Sequence, residues 1–160
     1  MEKFKINYQV LTDFINIHFK IFYPLKKFLS EDDFYNVIHK KKLKNGKFFP
    51  FPIFLSLSKK NYNKFKNQKK IQIIYNSSNV CSLKINSFYK VDKKKAGKKI
   101  FNTSSLKHPG YNNFVSSGDY NIDCEIEKFN NKILDKIYFT NPEKIKRIIM
   151  KKKLKTVVGF

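Results

Sequence analysis

Arginine, tryptophan, glycine and acidic residues are all scarce in this chain. Arg147 is the only arginine, tryptophan is absent, and glycine occurs five times in 160 residues. Lysine dominates instead, and 34 basic against 12 acidic residues give a formal net charge of +22. Proteins that read nucleic-acid sequence favour arginine, whose planar fork makes two-point contacts with phosphate and guanine. The scarcity of arginine argues against specific readout, whereas non-specific, salt-sensitive anion or nucleic-acid binding through lysines is expected.

The bias in composition has an explanation that needs no binding partner. The enriched types, which include Lys, Asn, Ile, Phe and Tyr, have A/T-rich codons, and the depleted types have G/C-rich codons. A strongly A/T-biased genome produces this pattern without selection for function. We therefore interpret the 17 Phe and 9 Tyr as core residues rather than as base-stacking platforms of the kind that single-stranded RNA uses.

Membrane and export signals are also missing. No apolar run approaches the ~18 residues that a membrane-spanning helix needs. Residues 1–5 lack the apolar region and small-residue cleavage site of a secretory signal. We expect a cytoplasmic protein without membrane partners, in which Cys81 and Cys124 are buried or half-buried thiols rather than a disulfide.

The first half of the chain mixes helix and strand patterns. The whole chain has 41% hydrophobic residues, which is enough to bury a core, and its 160 residues fit one domain with a small appendage. Ser30 is a helix N-cap followed by acidic first-turn residues. The predicted elements are a strand or short helix within 1–20, a helix from Ser30 to about Gly46, an edge strand within 48–57 and a loop over 61–70.

The second half is predicted to be mostly strands. Asn76-Ser77-Ser78-Asn79 has the composition of a hairpin turn. Pro142 is typical of the first turn of a helix. The predicted elements are strands at 71–75, 80–85, 88–91 and about 120–129, a charged segment at 93–99, a long loop at 103–118, a helix from Pro142 to about Lys152, and a strand at 157–160.

A series of short landmarks resembles one family in order and spacing, the ATP sulfurylases (sulfate adenylyltransferases). No single landmark is specific, and the resemblance rests on their succession over nearly the whole chain. Family members have a Ser-Pro-Leu-x-Gly-Phe-Met signature, an acidic helix, a Leu-x-x-Gly turn, a Pro-Ile strand, a Phe-Gly-Thr turn, His-Pro-Gly, Gly-x-Tyr, and a final helix with a Val-Val-x-Phe strand. The matching segments are Phe22–Leu29, Asp32-Asp33, Leu43–Gly46, Pro52-Ile53, Phe101–Thr103, His108–Gly110, Gly118–Tyr120, Pro142–Lys146 and Val157–Phe160.

Several positions depart from the family pattern. The signature glycine is Lys27, and the paired glycines expected near Ile122-Asp123 are absent. The helix arginine is Lys146, which cannot make a bidentate contact with a carboxylate. The Gly-Trp expected before the last strand is Lys153-Leu154. We expect each departure to loosen local packing without changing the fold.

The resemblance implies an α+β, mostly β fold: a PUA-like pseudo-barrel with peripheral helices over residues 1–140. Residues 141–160 would be the helix and first strand of a truncated α/β nucleotidyltransferase catalytic domain. The residues that handle ATP, with Mg, and sulfate would lie beyond Phe160. The resemblance therefore implies a chain that is inactive alone and has no catalytic, cofactor-binding or metal site residues of its own. Its expected partner is a separately encoded catalytic domain or a second copy, and residues from Thr156 onward are expected to be exposed.

Two functions remain open from the sequence. The first is the non-catalytic N-terminal domain of a sulfate adenylyltransferase, and the alternative is a small basic PUA-like RNA-binding protein. His108 is interpreted as a turn residue rather than a ligand, and Asp32 and Asp33 as helix-dipole partners rather than a catalytic pair. His18 and His39 show no metal-binding pattern. The lysine runs 93–95 and 151–153 are interpreted as solvated faces.

Overall fold

The computed structural model describes residues 1–137 and 139–158. These residues divide into two compact units, Met1–Asn130 and Asn131–Phe160, which are considered separately. The elements in chain order are β1 (Glu2–Lys5), α1 (Tyr8–His18), α2 (Glu31–Lys40), β2 (Leu55–Leu57), α3 (Lys59–Phe65), β3 (Lys70–Tyr75), β4 (Ser78–Lys90), α4 (Lys93–Phe101), α5 (Pro109–Ser116), β5 (Tyr120–Glu127), a 3-10 helix (Asn131–Lys136) and α6 (Pro142–Lys151).

A mixed, curled sheet organises the first unit. Its strand order is β1-β3-β4-β5-β2, with β1 parallel to β3 and the other pairs antiparallel. Asn76 and Ser77 have positive φ angles of 43° and 62°, the turn geometry that matches the twist of a hairpin. The predicted hairpin is therefore confirmed. The two predicted runs after it form one long strand, β4, whose register shifts between Ile85 and Ser87.

Helices and aromatic rings close the core of this unit. Phe14 of α1, Phe28 in the segment before α2, and Phe34 of α2 are each 0% exposed. The Phe14 and Phe28 rings meet edge-to-face at 4.8 Å. Tyr89 of β4 donates a hydrogen bond from its hydroxyl to the Leu29 carbonyl at 2.9 Å, which satisfies its polar end inside the core. The sheet with peripheral helices confirms the predicted α+β class.

Two predicted loops contain helices. Residues 61–70 were expected to be a loop, but α3 begins after Ser58, whose hydroxyl accepts from Asn61 N–H. The expected loop 103–118 contains α5, which has Pro109 in its first turn. Both helices bury few residues, so their apolar periodicity is weak in the sequence. The charged segment 93–99 is also helical, in α4, and the expected strand at 48–57 is limited to β2.

The second unit contains the predicted helix. Asn141 accepts a hydrogen bond from Glu143 N–H at 2.9 Å at the start of α6, as expected for a capped helix with proline in its first turn. The strand predicted at 157–160 is not formed by Val157 and Val158, which are 56% and 69% exposed. Gly159 and Phe160 lie outside the described residues. The predicted exposure of this segment is thus confirmed for its valines, and its assignment to a catalytic domain remains a prediction.

Candidate functional site

His108 caps a helix. Its Nδ1 accepts a hydrogen bond from the backbone N–H of Tyr111 at 3.1 Å, at the N-terminus of α5. The imidazole also lies 5.3 Å from the Phe101 ring. Gly110 is needed beside it, because a Cβ there would lie 2.7 Å from the Phe101 ring. The His-Pro-Gly segment therefore has the structural role that the sequence indicates.

The acidic pair at the start of α2 is also structural. Asp33 accepts a hydrogen bond from Lys44 N–H at 2.6 Å, and Asp32 forms an exposed ion pair with Lys44 Nζ at 2.8 Å. Both carboxylates lie in the first turn of the helix, where they complement its dipole. Both carboxylates are engaged by Lys44, Asp33 by its backbone N–H and Asp32 by its ammonium, which is not the arrangement of a catalytic carboxylate pair.

The remaining histidines and the cysteines form no common site. His18 stacks on Phe129 at 4.1 Å, and partial burial lowers its pKa. His39 stacks on Tyr35. Cys81 and Cys124 are buried free thiols whose pKa values are raised by burial, which makes them unreactive. Within residues 1–137 and 139–158, no three His, Cys, Asp or Glu side chains are grouped to hold a metal ion.

Lys93 differs from the solvated lysine that the sequence predicts. It is 5% exposed, and its Nζ lies 4.5 Å from the Phe54 ring centre and 4.4 Å from that of Phe114. No acceptor in the described structure reaches the ammonium, and burial lowers its pKa to about 8, an effect that Asp119 opposes. Cation–π attraction to two rings partly replaces the lost hydration. Its neighbours Lys94 and Lys95, like the 151–153 run, are exposed as expected.

A cavity of about 620 Å³ is lined in part by these two rings, and Lys93 is not among its lining residues. Its volume falls within the roughly 300–1,000 Å³ range of small-molecule sites. One of its lining residues is Asp13 of α1, whose half-buried carboxylate makes no hydrogen bond or ion pair to described residues; burial raises its pKa to about 6. The sequence analysis missed Asp13, because it is a single acidic residue in an apolar helix with no local motif around it.

We expect Asp13→Asn to stabilise the free protein at neutral pH. The folded-state pKa of about 6 lies above the unfolded value of 3.8, so folding is penalised once pH rises through this interval. Removing the charge should raise the free energy of unfolding by about 1–2 kcal/mol at pH 7, after allowance for its partial exposure. Urea unfolding at several pH values checks this. A gain that persists unchanged below about pH 4 would contradict the ionisation as its cause.

Two departures from the family pattern meet in the structure. Lys27 Nζ lies 2.6 Å from Oδ1 of Asp123, whose side chain is 10% exposed. Asn86 Nδ2 also donates to the same carboxylate at 3.2 Å. The lysine in place of the signature glycine therefore neutralises the aspartate that stands near the missing glycines. The expectation that each departure only loosens packing was wrong for this pair.

The second unit presents an unburied amphipathic helix. No residue of α6 is buried, and Ile145 and Ile148 on one side are each 43% exposed. Arg147 lies on the opposite face by helical spacing. Lysines flank the apolar side along the helix and beyond it. An exposed apolar stripe with a charged border is typical of a face that packs against another surface.

The residues that line the cavity with Asp13 do not fit ATP or Mg²⁺. The cavity carries an unpaired carboxylate, which would repel a triphosphate. No acidic cluster in the described part of the chain supplies the oxygen ligands that Mg²⁺ prefers. We therefore assign no nucleotide-handling step to these residues. Among the described helices, none combines the length and apolar character that a membrane crossing requires.

Comparison with known proteins gives the family. A PUA-like domain model matches residues 1–131. A sulfate adenylyltransferase from Pyrococcus abyssi (strain GE5 / Orsay) is 28% identical over 99% of this chain and 41% of its own length. One from Entamoeba histolytica is 27% identical over 100% of this chain and 40% of its own length. The chain thus spans less than half of these relatives.

A solved structure is similar in fold. The hexameric APS kinase from Thiobacillus denitrificans matches 96% of this chain and 27% of its own chain, with a TM-score of 0.64 and 11% sequence identity. At that identity the likeness concerns the fold alone. With a matching family model over most of its length and the predicted architecture in place, the chain belongs to the PUA-like domain family and is related to part of the sulfate adenylyltransferases.

Proposed function

We propose that the chain is the non-catalytic N-terminal PUA-like domain of a sulfate adenylyltransferase, which forms adenosine 5′-phosphosulfate from ATP and sulfate. The observation that supports this most is the match of 99% of the chain to 41% of the Pyrococcus abyssi sulfate adenylyltransferase. In this proposal the domain acts by packing on a catalytic domain, and ATP and Mg²⁺ bind there.

The apolar side of α6 is the surface that we propose for this packing. Its exposed Ile145 and Ile148 would lose water on docking, and each fully buried aliphatic side chain contributes about 1.5–3 kcal/mol. Val157 and Val158, which follow the helix in the chain, are also exposed apolar residues. A second copy of the chain could use the same surface, and sedimentation analysis of the isolated chain distinguishes that outcome from a requirement for a catalytic partner.

Ile148→Glu should prevent this association. It places a charge in the centre of the apolar side, where docking would desolvate it, and affinity for a catalytic domain should fall at least about 100-fold. Arg147→Glu, on the opposite face, is the matched control and should change affinity by less than about tenfold. Association is measured by calorimetry with the separately expressed catalytic portion of a sulfate adenylyltransferase. Equal losses in the two variants would contradict docking through the apolar side.

RNA binding is the second candidate function. Two observations favour it: the match to the PUA-like family and the net charge of +22. A lysine surface alone gives affinity that decreases steeply as salt increases. We expect fluorescence-anisotropy titrations to show this behaviour, with no preference between unrelated RNAs. A structure-selective affinity that persists at about 0.2 M salt would instead support the RNA-binding function.

A further inference from the structure

The cavity beside α1 combines one carboxylate with an aromatic wall. Five phenylalanines contribute to its lining: Phe4, Phe51, Phe54, Phe101 and Phe114. Phe54 and Phe114 pack edge-to-face at 5.3 Å, so the wall they form is rigid. The side chains come from four separate parts of the first unit, and all lie within Met1–Asn130.

Asp13 is the acidic group in this wall. Its carboxylate is half-buried and makes no hydrogen bond or ion pair in the described structure. Among the described residues, the only other charged one that lines the cavity is Lys5, at the end of β1, whose side chain is exposed. In a chain with 34 basic residues, a carboxylate left without a cation inside a cavity is unusual. The unpaired carboxylate also lowers the stability of the folded protein, and residues that serve binding commonly have such a cost.

The chemistry of this wall selects among ligand classes. An anion would be repelled by the carboxylate, and a neutral apolar molecule would leave it unpaired and less hydrated. An ammonium group can pair with the carboxylate through charge-assisted hydrogen bonds and can also interact with aromatic faces. The Lys93 ammonium already lies against Phe54 and Phe114 from outside the cavity, which shows that these rings accept a cation.

We propose that this cavity binds an organic ammonium ion with an apolar body, held by the Asp13 carboxylate and enclosed by the phenylalanine wall. The volume of about 620 Å³ accommodates a ligand of that size. Two sources share this chemistry: a free amine and the lysine side chain of another protein. The site is independent of α6 and of the proposed adenylyltransferase role.

The test compares three probes of one shape on the 160-residue chain: benzylammonium, benzyl alcohol and benzoate. NMR chemical-shift titration at about 0.15 M salt, which screens the net positive charge, measures affinity. We expect benzylammonium to bind at least about tenfold more tightly than benzyl alcohol, and benzoate not to bind. Equal binding of the alcohol and the ammonium, or no binding of the ammonium, would overturn the proposal.

Comparison of Asp13→Asn with Glu31→Gln distinguishes the effect of losing the Asp13 carboxylate from the effect of changing the net charge of the protein. Glu31 lies in the first turn of α2 and is exposed, so both variants remove one negative charge and leave the same total. We expect Asp13→Asn to weaken benzylammonium at least about tenfold and Glu31→Gln to change it less than about twofold. Circular dichroism verifies that both variants fold. Equal effects of the two variants would show that only the overall field matters and would overturn the proposal.

The two ligand sources are distinguished by a fourth probe, a short peptide with one central lysine, against the same peptide with glutamine. Tighter binding of the lysine peptide than of benzylammonium identifies a protein side chain as the ligand. Binding of benzylammonium alone identifies a free amine. In either case affinity should decrease as pH falls through about 6, because Asp13 then becomes neutral and no longer pairs with the ammonium.

Discussion

Gly118→Ala is expected to abolish stable folding of the first unit. A Cβ at this position would lie 2.5 Å from Ser58 N and would overlap the Leu57 carbonyl group, which belongs to backbone. Leu57 pairs with Tyr120 across β2 and β5, so neither strand can move away without losing the sheet edge. Overpacking against side chains costs about 1–3 kcal/mol, and a clash with paired backbone should cost more.

Urea unfolding followed by circular dichroism measures this effect. Gly46→Ala is the matched control, because its Cβ would meet no atom within 4 Å although its φ is +81°. That variant should lose only about 1–2 kcal/mol, the cost of a left-handed conformation for alanine. Similar losses for the two variants would show that backbone approach at Gly118 is not the cause.

Lys27→Met is expected to have the second largest effect. It leaves the Asp123 carboxylate, whose side chain is 10% exposed, with Asn86 as its remaining side-chain donor. Breaking a buried ion pair from one side costs about 3–5 kcal/mol. Since Lys27 keeps 32% of its side chain exposed, we expect about 2–3 kcal/mol lost at neutral pH.

The double variant Lys27→Met with Asp123→Asn tests the cause. Because it removes both charges, it should recover most of the stability that Lys27→Met loses. Lys44→Met is the surface control, since the Lys44–Asp32 pair is largely exposed on both sides, and it should cause only a small change. No recovery in the double variant would mean that Lys27 stabilises through its packing rather than its charge.

The elements with strong local signals were predictable from sequence. Strand β3, the hairpin turn after it and the capped start of α6 follow from alternation, turn residues and proline placement. Helices α3 and α5 were missed because α3 buries only Phe65, and α5 only Tyr111 and Phe114. One or two apolar positions in a helix give no clear helical periodicity in the sequence.

The residues of the candidate sites also divide into those that were predictable from the sequence and those that were not. His108 has the structural role expected of a turn residue, since proline and glycine beside it restrict the backbone, although the helix that it caps was not predicted. The Asp13 cavity could not be predicted, because its lining comes from segments up to about a hundred residues apart that only the fold assembles. The Lys27–Asp123 pair likewise joins residues 96 positions apart. Contacts of this range leave no spacing pattern in one sequence.

We propose that this chain is a PUA-like domain that contributes to sulfate adenylyltransferase activity without carrying out the chemistry. The most direct test of this proposal measures adenosine 5′-phosphosulfate formed from ATP and sulfate by the isolated 160-residue chain. The same assay is run after mixing with the catalytic portion of a sulfate adenylyltransferase. We predict no product from the chain alone and a higher rate from the mixture than from the catalytic portion by itself. Turnover by the isolated chain would contradict the account.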